Sequence, residues 1–328
     1  MAEFKAQKIV FNDYPVVGEQ FSSLATVPFS WSIQRKNIYE YCQRKYFLHY
    51  YASSNGYDKN NCSELERELY LLKNLKPLHY MIKEVFLEVL KNELQTFCGK
   101  MNVKKIVKNI YKTAKKELLK RLQQANDYQK VVNEPKHYAI HECFYCVYSV
   151  GEIKKIALNE LDLLVKNFCS ENNQFFEDLI MAKNGDVKFH DNIDSFMLSK
   201  TLIWVAPDLI YESKGVLHCL NLKFGKYSVM NAFTFQNSLI LLYLMNNFPT
   251  FKDKILLQNF YYQNNDLKSY STIDFDGNKL AIQLDASIET LRQIANKNIL
   301  SVNDFAKFDL DKDLSCNNCN FKSFCSKH

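Results

Sequence analysis

The chain has 328 residues, 47% of them apolar and 24% charged, with a formal charge of +6. This excludes a disordered or fibrous chain and leaves room for one large domain or two moderate ones. The mild positive charge is a weak pointer to nucleic acid or another anionic partner, and the scarcity of Gly (8) and Pro (6) favours long, mostly helical elements over a turn-rich β fold.

The first ten residues, MAEFKAQKIV, lack the apolar run behind basic residues that a secretory signal needs. The longest apolar stretch, residues 239–245, falls far short of a membrane span. A cytoplasmic (or nuclear) protein with no membrane partner is expected. Its 10 cysteines should then be reduced thiols or metal ligands rather than disulfides.

Taken in chain order, residues 1–30 read as irregular, with Pro15, Gly18 and Pro28. Ser30-Trp31-Ser32 offers an N-cap, and the helix it starts runs through IQRKNIYEYCQRKYFLHYY, with Ile33, Ile38, Tyr41, Cys42, Tyr46 and Phe47 largely on one side. Residues 63–97 give one or two further helices. The stretch from Met101 is amphipathic, with an apolar stripe of Val103, Ile106, Val107, Ile110, Ala114 and Leu118. Lys104, Lys105, Lys108, Lys112, Lys115, Lys116, Lys120 and Arg121 cover the rest, against Glu117 as the single acid. Such a stripe is a solvated face or a phosphate-facing one, and its one-sidedness suits contact with a nucleic-acid backbone. Residues 140–182 continue helical.

The period changes near residue 199. KTLIWVAPDLIYE reads as a strand interrupted by Pro207, Ser213-Lys214-Gly215 as a turn, and VLHCLNLKFG as a second strand. NAFTFQNSLILLYLMNNF returns to helix, ILLQNFYYQN and KSYSTIDF are two more strands, and residues 284–294 are helical before the cysteine-rich end CNNCNFKSFCSKH. The fold class expected is α/β (α+β). Its parts are a helical segment 1–198, an α/β core 199–300 and a tail 301–328 that packs back on residues 30–52.

Two constellations carry chemistry. Cys316-x2-Cys319-x5-Cys325 places three thiols in ten residues, close enough for one loop to present them to one metal. A fourth ligand must come from Cys42, His328 or the Cys143/Cys146 pair, and composition admits zinc or an iron–sulfur cluster. Cys143-Phe-Tyr-Cys146 itself lies in an aromatic, apolar setting where a thiol is a small hydrophobe. The second constellation is the strand pair. Its turn brings Asp208 close to Asn221, while Asn221 and Lys223, two apart, share a face. Two acids and a lysine so arranged would hold Mg²⁺ or Mn²⁺ and orient the attacking water, as in a PD-(D/E)XK site. Gln236 and Tyr243, seven apart on the next helix, share one face of it. Trp31 and Tyr227 are candidates for base stacking, although packing is the plainer reading of each.

Together these features resemble the iron–sulfur PD-(D/E)XK nucleases of the RecB-like class, which includes the AddB nuclease domain and the CRISPR-adaptation exonucleases. The matched segments are residues 30–52, with Cys42; 200–245; and 316–325, with Cys316, Cys319 and Cys325. The resemblance implies a restriction-endonuclease-like core with a small mixed sheet flanked by helices. It implies a [4Fe–4S] cluster on Cys42, Cys316, Cys319 and Cys325 that staples the two chain ends, with zinc as the alternative. It further implies Mg²⁺ or Mn²⁺ on Asp208, a catalytic set of Asp208, Asn221, Lys223, Gln236 and Tyr243, and a DNA substrate, single-stranded or with a free end. Lys104, Lys108, Lys112, Lys115 and Lys226 would meet that DNA, and a helicase partner is plausible. The chain carries no Gly-Lys-Ser/Thr phosphate loop of its own.

This sequence departs from the pattern twice. Asn221 stands where the family has an acid. An upstream helix that should carry Gly-x-x-x-His aligns with Leu87 in the histidine position, His79 lying two turns earlier. Glu212, four residues beyond Asp208 along its strand, lies roughly 13 Å too far to replace Asn221. Three functions follow as expectations: a metal-dependent DNA nuclease, a catalytically degenerate relative that binds DNA or serves as a scaffold, and a structural metal protein with no nucleic-acid role.

Overall fold

The computed structural model describes residues 29–96, 102–170, 173–181, 194–198, 200–225, 234–295, 308 and 316–325. Strand β1 (Ser30–Ser32) leads into α1 (Ile33–Tyr41), whose N-cap is Ser32; the Ser32 side chain accepts from the Arg35 N–H. The single helix expected here is broken at Cys42, which is extended (φ −163°, ψ 116°). Cys42 closes α1 with its N–H on the Ile38 carbonyl and opens α2 (Gln43–Phe47) with its Sγ accepting from the Lys45 N–H at 3.4 Å. The thiol therefore sits at a joint between two helices, and a π-helical turn (Leu48–Ala52) follows.

Helix α3 (Glu64–Lys73) begins with a reciprocal capping box of Ser63 and Glu66, and α9 (Val150–Phe168) with one of Ser149 and Glu152. Each such cap is worth about 1 kcal/mol. Between them lie α4 (Leu78–Thr96), α5 (Val103–Ala125) and the short α6 (Tyr128–Asn133), α7 (Pro135–Tyr138) and α8 (His141–Phe144); α10 (Gln174–Met181) follows. The apolar stripe of α5 is buried at Ile106, Ile110, Ala114 and Leu118, as its 3.6-residue period requires, and continues to Leu122.

The stretch expected as one strand with a proline interruption is two strands of different sheets. β3 (Thr201–Val205) lies between β1, parallel to it, and the antiparallel β2 (Asp194–Leu198). After Pro207 the chain enters β4 (Leu209–Ser213), the edge of a four-stranded sheet of order β4-β5-β6-β7. Pro207 has no N–H for a ladder, so the chain changes sheets there. The hairpin of β4 with β5 (Val216–Lys223) forms as expected, in a register pairing Leu209 with Leu220 and Ser213 with Val216. Its turn is built by Lys214 (φ 53°) and Gly215 (φ 73°), the left-handed pair that a two-residue hairpin needs. Helix α11 (Phe235–Asn247) carries the chain to β6 (Ile255–Tyr261), which is parallel to β5; β7 (Asp266–Ser271) and α12 (Gly277–Ala295) complete the layer, and α13 (Lys322–Cys325) ends the described chain.

The four-stranded sheet is covered on both faces, which explains its nearly continuous apolar strands. Ile210, Leu217, Cys219 and Leu257 belong to a core shared with α11, α12 and the small sheet. Leu209, Tyr211, Leu220, Leu222 and Phe260 belong to a second core built from α4, α5, α9 and α10. Each fully buried Leu, Ile or Phe contributes about 1.5–3 kcal/mol of burial. The architecture is thus mixed helix and strand, and at the open end of the β4–β5 hairpin Asp208 meets α4 through Lys83, while Asn221 and Lys223 face β6 and α11. Among the described residues no helix is long and apolar enough to cross a membrane.

Candidate functional site

The hairpin brings Asp208 and Asn221 together. The Asp208 N–H donates to Asn221 Oδ1 at 3.3 Å, and the Leu222 N–H donates to the Asp208 carboxylate at 2.7 Å. The partner of that carboxylate from the helical layer is Lys83. Its Nζ lies 2.6 Å from Asp208 Oδ2 and donates to the Leu222 carbonyl at 3.2 Å. Both side chains are largely shielded, at 18% and 14% exposed. Leu87, aligned with the histidine, packs against the second core, and the residue that reaches the site is Lys83, one turn earlier on the same face. His79 is half-buried against the Phe224 ring, 4.4 Å between centroids. Glu212 pairs with Leu217 near the turn, at the other end of the hairpin.

Asn221 is 4% exposed and starts a chain of amides. The Asp208 N–H can only donate, so Asn221 must present its Oδ1 there and its Nδ2 to Asn259 Oδ1 (3.3 Å); Asn259 Nδ2 then donates to Asn237 Oδ1 (3.1 Å). Asn237 Nδ2 ends the chain, buried without a partner among the described residues. Lys223 reaches across to α11 and donates to Gln236 Oε1 at 3.2 Å. Burial pulls the Lys223 ammonium below the ordinary lysine range; Asp208 works against that shift and Lys83 with it. Tyr243 shares α11 with Gln236 but serves a different partner. Its hydroxyl donates to the Asp194 carboxylate on β2, and burial, then that bond, push its phenol up. Of the five residues expected to act together, Asp208, Asn221, Lys223 and Gln236 form one contiguous set, and Tyr243 joins α11 to the small sheet.

This set does not fit a divalent cation. Mg²⁺ and Mn²⁺ want several hard oxygens carrying negative charge. Here the one carboxylate is neutralised by an ammonium group. The Leu222 carbonyl is taken by the same ammonium, and both ends of the Asn221 amide are engaged inside the protein.

The cysteines expected to hold a cluster lie at the tail and at the α1–α2 joint. A 3₁₀ turn (Cys316–Asn318) and α13 carry Cys316, Cys319 and Cys325 back to the N-terminal helices. Arg44 Nε donates to the Phe308 carbonyl at 3.0 Å, Phe308 stacks on Phe47 at 5.0 Å, and Asn320 Nδ2 donates to the Leu75 carbonyl at 2.7 Å. Burial, then neighbouring Cys319, Cys42 and Cys316, push the Cys325 thiol up to about 12. Burial also raises Cys319, with Cys42 and Cys316 adding to the shift. The four thiols therefore lie within one another's field, and Cys42, rather than the Cys143/Cys146 pair, is the thiol gathered with the tail. Among the described residues no group of three or more His, Cys, Asp or Glu is drawn together tightly enough to hold a single metal ion. The sequence reading missed His141: its ring is hydrogen-bonded to the Cys319 backbone and its Nε2 is buried with no partner among the described residues. Cys42, Cys316, Cys319 and Cys325 are the residues that would hold a cluster, which would join the tail covalently to the N-terminal helices.

On α5, Lys104, Lys108 and Lys112 are exposed, and Lys115 lies over the Tyr111 ring at 5.7 Å. Arg121 is not part of this surface, since it pairs with Glu88 on α4 and with Glu117. Lys226, Tyr227 and His328 lie outside the described residues, and Trp31 is a core residue, fully buried with its indole N–H on Ser287 Oγ.

A family model described as Dictyostelium STAT, coiled coil, matches residues 249–321, well under half of the chain. The described part of that stretch holds β6, β7, α12 and the first turns of the tail rather than paired long helices. No curated protein and no solved structure matches the chain.

Proposed function

We propose that this protein is a PD-(D/E)XK-like nucleic-acid-binding protein that does not hydrolyse its ligand, with its two chain ends joined by an iron–sulfur cluster. The observation that carries the reading is the Lys83 ammonium held between the Asp208 carboxylate and the Leu222 carbonyl. The hairpin of β4 and β5, the Lys223–Gln236 contact and the crossover through α11 support a nuclease-like core. Moving the family comparison back one turn on α4 sets Lys83, rather than Leu87, opposite the missing histidine. Without a divalent cation the site has no Lewis acid to lower the pKa of a water or to offset charge building on a phosphate. The exposed lysines of α5 supply an anionic ligand with a non-specific grip. Nucleic acid is favoured over a purely structural role because eleven residues of α5, Lys104 to Ala114, expose cations on every outward turn.

The test uses full-length protein purified without oxygen, labelled single- and double-stranded DNA, and added Mg²⁺ or Mn²⁺. Binding that weakens steeply with salt, with the DNA left intact, is expected. Rapid cleavage that Asp208→Asn abolishes would overturn the inert reading, and the absence of any nucleic-acid binding would overturn the functional one.

A further inference from the structure

We propose that the open end of the β4–β5 hairpin is a metal-independent phosphodiester site, in which the tethered Lys83 ammonium stands in the place of a divalent cation and an aromatic group beside it receives an unstacked base. The proposal rests on the reading above and names the ligand of that same site: a single strand of nucleic acid.

The first observation is the geometry at Nζ. Two oxygens of different origin, a carboxylate on the loop before β4 and a backbone carbonyl on β5, converge on Lys83 at 2.6 and 3.2 Å. Such a pair of hard oxygens is what a small cation seeks. An ammonium group has three N–H donors. Asp208 and Leu222 use two, leaving the third for an oxygen arriving from outside. Lys223 stands on the same strand end, so two ammonium groups face one carboxylate and the local charge favours an anion.

The second observation is independent of charge. Phe224 directly follows Lys223, and its ring lies 4.4 Å from that of His79 and 5.5 Å from that of Tyr80. Tyr80 is 49% exposed, and Lys83 Nζ is 5.9 Å from the Phe224 centroid. Core packing accounts for the inner side of Phe224, which meets Tyr262 edge-on at 5.6 Å. It does not account for a half-exposed tyrosine next to it. Exposed rings beside cations are the combination that holds unpaired bases and their phosphates. In a duplex the base faces are stacked, so a single strand should bind more tightly.

A tethered ammonium differs from a metal ion in a way that can be measured: no chelator removes it. The experiment is fluorescence anisotropy of a labelled single-stranded oligothymidylate with full-length protein, in EDTA and in Mg²⁺ at matched ionic strength. The expected affinity is the same in both. Tyr80→Ala should weaken binding by about tenfold, the loss of one stacked base. Lys83→Met alone can unfold the protein by stranding Asp208. The paired change Lys83→Met with Asp208→Asn therefore serves as the main variant, because it removes both charges and leaves the net charge unaltered. It should weaken binding by about tenfold and reduce the salt slope by about one, with the circular dichroism spectrum unchanged. Binding that requires Mg²⁺, or variants that bind as the parent does, would overturn this site while leaving nucleic-acid binding through α5 intact. A parent protein that binds no oligonucleotide in either buffer would overturn both.

Discussion

Lys83 and Asp208 give the sharpest stability prediction. The two side chains are 18% and 14% exposed, so their ion pair is only weakly screened by solvent. Removing one partner of a buried pair costs about 3–5 kcal/mol, mainly because the other charge is stranded. Lys83→Met should cost less, about 2–4 kcal/mol, because Asp208 keeps the Leu222 N–H and gains from Lys223, whose ammonium already responds to it. Asp208→Asn should cost a similar amount, since it leaves Lys83 and Lys223 facing each other without an anion. The double variant should be markedly better than the sum of the singles, with a coupling energy of about 1.5–3 kcal/mol, because no charge is then stranded. Guanidinium unfolding followed by circular dichroism on the four proteins of the cycle measures this directly. A coupling energy below about 0.5 kcal/mol, the range of sites that do not touch, would mean that Lys83 does not hold Asp208. The account of the site would fail with it.

Four further outcomes are expected. Gly56→Ala should destabilise by at least about 3 kcal/mol or prevent folding, because the added Cβ would meet the Glu66 carbonyl oxygen at 2.1 Å and Tyr70 Cβ at 2.4 Å; thermal melting is the check. Burial holds His49 well below the ordinary histidine range and also lowers His218. The unfolded chain therefore takes up more protons once the pH falls below about 6.5, and stability should drop with it by up to about 1.4 kcal/mol per pH unit for each histidine; melting at neutral and mildly acidic pH would show a flat profile if this were wrong. Anaerobically purified protein should be brown and contain iron, and Cys42→Ser should lose both colour and thermal stability, whereas a colourless protein containing zinc would assign the staple to zinc. Lys108→Glu with Lys112→Glu should weaken DNA binding and lower the salt slope by about two, with no change in melting temperature.

The helices and the main hairpin were legible because their signals are local. The α5 stripe has a 3.6-residue period, and Lys214-Gly215 supplies the positive φ angles of a tight turn. α12 starts earlier than its apolar pattern suggests, because Asp276 accepts from the Lys279 N–H and caps a polar first turn. β1 and β2 went unread: three residues of SWS carry no periodic signal, and β1 is a strand only because β3 lies beside it. The same limit governs the site. Asp208, Asn221 and Lys223 lie on one hairpin, so their proximity follows from turn and register. Lys83 is 125 positions from Asp208 in sequence and arrives through the packing of α4 on the sheet. Only a residue four positions from Leu87, on the same helical face, hinted at it. Asn259 and Asn237 carried a signal that could have been used, since an amide inside the apolar runs ILLQNFYY and FQNSLILL must find a buried partner.

The structure also changes the meaning of Asn221. Read alone in HCLNLKFGK, the asparagine is a missing acid and the site is short of charge. A site of two carboxylates and one divalent cation would be electrically balanced, and Asp208 with Lys83 is balanced in another way, one negative charge against one tethered positive charge. The amide at 221 and the lysine at 83 are therefore two halves of one arrangement, each of which would be costly without the other. Asp at 221 would put a second carboxylate beside Asp208 and leave Asn259 Oδ1 without its donor, and an apolar residue at 83 would take from Asp208 its closest cation. The amide chain through Asn259 to Asn237 reinforces this, because it uses Asn221 as both acceptor and donor, roles a carboxylate cannot fill together. Asn221 is accordingly part of how β5, β6 and α11 are held in register, and changing it alone to Asp should disturb the fold before it creates a metal site.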